Sequence, residues 1–250
     1  MHRRKHQPPG IGTTSSRPEI PQALWLHGRH PVLAAVRNPR RRLDRLVATG
    51  ESAAVLEKVA LAAPVSRPRV ETLDRRDFAA LLAGDVVHQG FAALARPLPA
   101  CELDTLLASI AGKDRAVVVV LDQVTDLRNI GAVLRSAEAF EAVGVVTQDR
   151  HAPAETPALA KAASGALESV PLVRVTNIAR ALRTLKQAHF FCIGLAGDAP
   201  LLLSEAPAQG RLGFVLGAEG SGLRRLVRET CDVLGRIPCL LYTSPSPRDS

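Results

Sequence analysis

No apolar run in this chain of 250 residues approaches the roughly 18–20 residues that a membrane-spanning helix needs. No apolar core follows the basic start either, as it would in a signal peptide. Both absences point to a cytoplasmic protein with no membrane partner. The four cysteines (Cys101, Cys192, Cys231 and Cys239) form no C-x-x-C pair and have no histidines at zinc-finger distances. That excludes the common zinc and thiol-redox motifs and leaves reduced, buried thiols as the expectation, with no metal. There is no internal repeat.

What is present is a large apolar fraction, 46% of residues, and a net charge of +8. The charge is unevenly placed. Residues 1–50 hold ten Lys and Arg against Glu19 and Asp44, whereas the other 200 residues balance at 22 of each sign. The densest cluster is Arg40-Arg41-Arg42 with Arg45, and Arg29 lies upstream. A localised basic patch attracts polyanions by counterion release, so Arg29, Arg40, Arg41 and Arg42 are candidate nucleic-acid contacts. An arginine-rich composition, 27 of the 32 basic residues, is the competing explanation for part of it.

Along the chain, residues 1–20 are basic and rich in Pro, Gly, Ser and Thr, and read as a disordered arm. Residues 21–96 predict a small α/β unit. It has helices over 31–36, 52–63 and 77–82 and strands over 45–48, near Val70 and over 90–95. In the 52–63 helix Val55, Leu56, Val59, Ala60 and Ala63 form the apolar stripe. Residues 97–114 read as a connector with one amphipathic turn, Leu103–Ile110. The run Ala116-Val-Val-Val-Val-Leu121 then suits a strand buried on both faces of a parallel sheet. Helices from 129 and over 157–163, 177–187 and 223–231 follow, alternating with strands over 144–147, 172–175, 190–195, 212–216 and near Ile237. The fold class is therefore α/β, with a parallel sheet covered by helices over residues 115–238.

Two strand-to-helix turns carry the chemistry. The first is Leu121-Asp-Gln-Val-Thr-Asp-Leu-Arg-Asn129-Ile-Gly131-Ala-Val-Leu-Arg135-Ser-Ala137. Asn129 stands where a helix N-cap belongs, and Ile130, Val133, Leu134 and Ala137 form the buried stripe. Arg135 leans off that stripe toward the mouth of the sheet. The second is Phe214-Val-Leu-Gly217-Ala-Glu219-Gly220-Ser-Gly222-Leu. Taken alone, its three glycines suit a nucleotide phosphate loop, although the spacing is not the dinucleotide fingerprint.

Together the two segments resemble the first and second motifs of the SpoU/TrmH branch of SPOUT RNA methyltransferases. His27-Gly28-Arg29-His30-Pro and Val87-His88-Gln89-Gly90 are similar to the L30e-like RNA-binding domain at the front of many such enzymes. The resemblance implies a SPOUT domain with a trefoil knot and a homodimer whose active site uses both subunits. It also implies S-adenosyl-L-methionine as cofactor and 2′-O-ribose methylation of RNA, with a guanosine of 23S rRNA as the substrate. On that footing Asn129, Arg135 and Glu219 are catalytic, Arg135 also meets the RNA, and Gly217, Gly220 and Ile237 contact the cofactor. Lys161-Ala-Ala-Ser164-Gly165-Ala-Leu-Glu168 is family-like too, with Gly165 and Glu168 shaping a corner and the dimer surface. His151 and His189 have no assigned role.

The resemblance fails at the end. After Pro238 the family continues into a Ser/Asn-containing segment, but this chain reads Cys239-Leu-Leu-Tyr242-Thr-Ser-Pro-Ser-Pro-Arg-Asp-Ser250. Ser-Pro-Ser-Pro extends neither strand nor helix. Residues 239–250 therefore read as a non-native tail that leaves the cofactor pocket short of a wall and the activity impaired. A non-catalytic RNA-binding remnant, a transfer-RNA methyltransferase and a nucleotide-binding Rossmann-type enzyme are the alternatives.

Overall fold

The computed structural model describes residues 23–82, 86–149, 155–207 and 209–238. The basic arm, the C-terminal tail and His151 lie outside the described residues. Two sheets organise the chain. The front sheet joins β1 (Leu24–His27), β2 (Leu43–Thr49), β3 (Val70–Leu73) and β4 (Phe91–Ala95) in the order β1-β4-β2-β3. Only β2 and β3 run parallel. Helices α1 (Arg29–Arg37), α2 (Glu51–Leu61) and α3 (Arg75–Leu81) accompany it. Strand β1 has no counterpart among the expected elements, because four residues are too few to show a period. In α2 the buried residues are Ala53 and Leu56, and Val55 of the expected stripe is exposed.

The second sheet has seven strands, all parallel: β5 (Ala116–Asp122), β6 (Gly144–Gln148), β7 (Leu172–Val175), β8 (Phe190–Leu195), β9 (Leu201–Leu202), β10 (Arg211–Gly217) and β11 (Val233–Arg236). Their order is β7-β6-β5-β10-β8-β11-β9. Strand β11 thus inserts between β8 and β9, which are consecutive in the chain. Val118 and Val120 of β5 face one core with α4 (Leu103–Ser109), α7 (Ile178–Gln187) and α8 (Arg225–Thr230). Leu121 faces the other core with α5 (Leu127–Ala139) and α6 (Pro157–Ala162). This is the two-sided burial that a continuous β-branched run requires. The stretch read as a connector contains α4, and Leu106 of that helix and its C-cap Ile110, both at most 2% exposed, seal the sheet.

The two domains share a core. Leu26, Val32, Val36 and Leu46 of the front unit belong to the same buried cluster as Ile130, Leu134, Leu159 and Leu167. A buried polar network adds to it. Asn38 Nδ2 donates to the Glu168 carboxylate at 2.8 Å, and Arg41 Nε and Nη2 reach the same carboxylate at 3.0 and 2.5 Å. Arg41 Nη1 pairs with Glu155 at 2.5 Å. Arg41 is 1% exposed, so it is a structural cation between domains and is not available to RNA as expected. Glu168 is equally committed. Gly165, at φ +104°, lets α1 approach so closely that a Cβ there would lie 2.9 Å from that of Ala34. Both residues build the junction within the chain.

Candidate active site

Strands β5 and β10 are neighbours, and Asp122 stands opposite Gly217 in the register. Two motifs some 80 residues apart in sequence therefore end side by side at the carboxyl edge of the sheet, where open α/β sheets hold ligands. Asp122 is fully buried, which would be costly for a lone carboxylate. Arg224 resolves this: its N–H and Nε donate to the two Asp122 oxygens at 2.9 and 2.8 Å. Nη2 also reaches Gln148 Oε1 at 3.1 Å, at the end of β6. Two strand ends, those of β5 and β6, are thus tied to the start of α8. None of these three residues was assigned a role from sequence; the available signal was an acid terminating an apolar β-branched run.

Helix α5 starts two residues earlier than expected. Its N-cap is Asp126, whose carboxylate accepts from Arg128 N–H at 2.8 Å. Asn129 sits in the first turn, exposed, and its amide is free of capping duty. Its Nδ2 instead donates to Glu219 Oε2 across a long 3.4 Å, which joins the two motifs through their side chains. The 218–222 loop is pinched by reciprocal Ala218 and Gly222 backbone bonds of 3.2 and 2.9 Å. A Cβ on Gly217 would fall 2.2 Å from the Gly222 carbonyl carbon, so Gly217 is required for closure of the loop itself. Gly220 and Gly222 have positive φ (+86° and +65°) and open space where a Cβ would be.

Arg135 stands apart from this pair. It is exposed on α5, about 9 Å along the axis from Asn129 at 1.5 Å per residue, and its guanidinium donates to the Ala162 carbonyl at the end of α6. A cation there complements the helix dipole. The mouth of the sheet is thus not where its side chain is held. Ile237 follows β11 directly and is 61% exposed.

The two front-domain signatures converge. Gly28 N–H bonds Phe91 O at 3.0 Å, and Arg29 N–H bonds Gln89 Oε1 at 3.1 Å. His88 lies on Phe78 with ring centroids 4.5 Å apart. Lys161, from α6, reaches across to Val87 O at 2.9 Å. Burial, reinforced by the Lys161 charge, pushes His27 below the usual histidine range. The side chains of Arg29, Arg40 and Arg42 are exposed, as a contact surface needs. Burial pushes the thiol of Cys192 up to about 12 and that of Cys231 to about 11. Among the described residues no group of three or more His, Cys, Asp or Glu could hold a metal ion.

Comparison with known proteins gives consistent matches. The model of the SpoU rRNA methylase family matches residues 116–243, and that of the RNA 2′-O ribose methyltransferase substrate-binding domain matches residues 25–100. The 23S rRNA (guanosine-2′-O-)-methyltransferase RlmB of a Burkholderia species is 39% identical over 231 residues, covering 88% of each chain. The RlmB of Salmonella typhi is 39% identical over 215 residues, covering 85% of this chain and 88% of that one. Among solved structures, the SpoU methyltransferase AviRb from Streptomyces viridochromogenes in complex with AdoMet superposes with a TM-score of 0.71 at 21% identity, over 90% of this chain and 84% of that one. An AdoMet-bound rRNA methyltransferase from Sinorhizobium meliloti gives 0.70 at 17% identity, over 90% and 81%. These two establish the shared fold.

Proposed function

Since the chain belongs to the SpoU rRNA methylase family, we propose that it methylates a ribose 2′-hydroxyl of RNA, at a guanosine of 23S rRNA. The observation that carries this reading is the meeting of Asn129 and Glu219 where β5 and β10 end together. The residues there suit S-adenosylmethionine. Gly220 presents backbone with no side chain in front of it, and Ile237 offers an exposed apolar face beside β11. Gly217, Gly220 and Ile237 would hold it, and when bound it supplies a methyl group already activated on a sulfonium.

The protein's own part is to hold the ribose and take its proton. Asn129 Nδ2 orients the sugar hydroxyl. Glu219 is the carboxylate within reach of that amide and is placed to accept the hydroxyl proton. A guanidinium is a donor only, so Arg135 serves as a phosphate contact, swinging from the Ala162 carbonyl to the RNA backbone. Arg29, Arg40 and Arg42 extend that contact over the front domain. The enzyme acts in the cytoplasm as a homodimer, and none of its described helices is long and apolar enough to cross a membrane. Exposed Leu226 offers apolar area for a second copy. A trefoil knot, an exception to the rule against threaded chains, belongs to this reading, and the position of β11 between β8 and β9 supports it.

Labelled methyl transfer from S-adenosylmethionine to 23S rRNA and to bulk tRNA tests the reading. Transfer to 23S rRNA alone is expected. Asn129→Ala and Glu219→Gln should each lower kcat by about 10²-fold or more. Arg135→Ala should act mainly through the KM for RNA. Equal transfer to tRNA, or a Glu219→Gln enzyme of full activity, would contradict it.

A further inference from the structure

The end of α6 lies on the seam between the two domains, and cations meet there that no acid answers. Lys161 Nζ crosses from α6 to the Val87 carbonyl of the front domain at 2.9 Å. The next residue, Ala162, accepts from the Arg135 guanidinium through its carbonyl. On the front side, the backbone N–H of Arg29 donates to Gln89 Oε1, two residues beyond Val87. The exposed Arg29 side chain is therefore unspent. Gly165 brings the two sides together: a Cβ there would lie 3.3 Å from the His30 carbonyl, which sets the first turn of α1 against the chain leaving α6.

Among the described residues, none of Arg29, Lys161 and Arg135 forms an ion pair. Glu138, one turn along α5 from Arg135, accepts from the Ser169 hydroxyl instead. The carbonyls that Lys161 and Arg135 bond are neutral dipoles, and even a helix end offers only roughly half an elementary charge. Half-buried Lys161 spends one N–H on the protein, and an ammonium has more to give. His27 registers the excess: burial, and then the Lys161 charge, push its imidazole below the usual range.

We propose that this seam is a track for the RNA backbone, with Lys161 as a phosphate contact between Arg29 and Arg135. The inference rests on the RNA-directed reading above and adds to it a residue from the far side of the domain junction. Three separate cations in a row suit successive phosphodiesters rather than one phosphate group. The ammonium meets a phosphate oxygen as a point charge, and each guanidinium can grip one as a fork. The order Arg29, Lys161, Arg135 runs from the front domain onto α5, the helix whose first turn carries Asn129. A strand on this track passes from the front domain toward the catalytic pair, and Arg135 gives up only a carbonyl bond to join it.

The test is the salt dependence of binding, measured with the full chain and a 23S rRNA transcript between about 50 and 200 mM salt. Loss of one phosphate contact lowers the slope of log K against log[salt] by about 0.9, so this rise in salt should weaken Lys161→Met about 3.5-fold less than the native protein. Arg29→Gln should do the same, and because its side chain bonds nothing in the described fold it carries the test if Lys161→Met does not fold. Lys161→Arg should keep the native slope. Arg183→Gln, at an exposed position of α7 on the opposite face of the sheet, should leave the slope unchanged. An equal drop in Arg183→Gln would mean diffuse surface charge and would overturn the track. Native slopes in Lys161→Met and Arg29→Gln, with the transcript still bound and methylated by the native chain, overturn it too and spare the functional reading. A native chain that does not bind the transcript removes both.

Discussion

Asp122 shows how one side chain fixes the geometry of the site. Its carboxylate is fully buried, while its partner Arg224 keeps 38% of its side chain in solvent. Removing either partner therefore has unequal consequences. Arg224→Met strands a buried carboxylate and should cost about 3 kcal/mol or more. Asp122→Asn leaves an arginine that water can solvate and an amide oxygen that still accepts the Arg224 N–H, so its cost should be nearer 1–2 kcal/mol. Urea unfolding of the two variants checks the order, and an Asp122→Asn loss as large as that of Arg224→Met would refute it. At the same scale the arginine cluster shows where sequence reading stops. Arg40, Arg41 and Arg42 look alike in the chain, yet the middle one is buried and its neighbours are exposed. Its partner Glu168 lies 127 residues away, so no local pattern could separate them. Asn129 and Glu219, in contrast, were legible because each sits at a strand-to-helix turn with its own residue signature.

Helix α5 carries the argument at the next scale, because its placement aims Asn129. It packs on α6 through Gly131, where a Cβ would lie 2.5 Å from the Ala162 Cβ and 2.6 Å from its carbonyl carbon. Alanine is favoured over glycine within a helix by about 1 kcal/mol, but the obstacle here is backbone, and overpacking costs typically about 1–3 kcal/mol. The clash should win. Gly131→Ala is expected to be destabilising by about 1–2 kcal/mol in thermal unfolding, and a stabilised variant would show that α6 yields easily. The elements themselves were largely readable. The β-branched run gave β5, and the helix expected over 177–187 is α7, with Asn177 as its N-cap accepting from Arg180 N–H at 3.0 Å. The start of α5 was misplaced because Asp126 and Asn129 are both good caps and only the fold selects between them. Strands β1 and β9, of four and two residues, exist through sheet pairing alone.

Across the whole molecule, the front domain is fastened to the catalytic sheet by a shared core and by the Asn38–Arg41–Glu155–Glu168 network. Buried ion pairs add little net stability but are costly to break from one side. Arg41→Met should therefore lose about 3–5 kcal/mol, and pairing it with Glu168→Gln should recover a substantial part, a coupling that a double-mutant cycle reads. The same pair of experiments separates structure from contact. Arg42→Ala should lower the slope of log K for RNA against log[salt] by about 1. Arg41→Met should leave that slope alone. The junction was invisible in the sequence, which presents the two domains as separate units joined by a connector.

The central claim is that Asn129 and Glu219, brought together by the parallel pairing of β5 and β10, work on a ribose hydroxyl of 23S rRNA. Its most direct test is nucleoside mass spectrometry of 23S rRNA incubated with the full chain and S-adenosylmethionine. The expected product is 2′-O-methylguanosine, formed by the native protein and not by Asn129→Ala. A base-methylated nucleoside, or no methylated product from the native chain, would contradict the account.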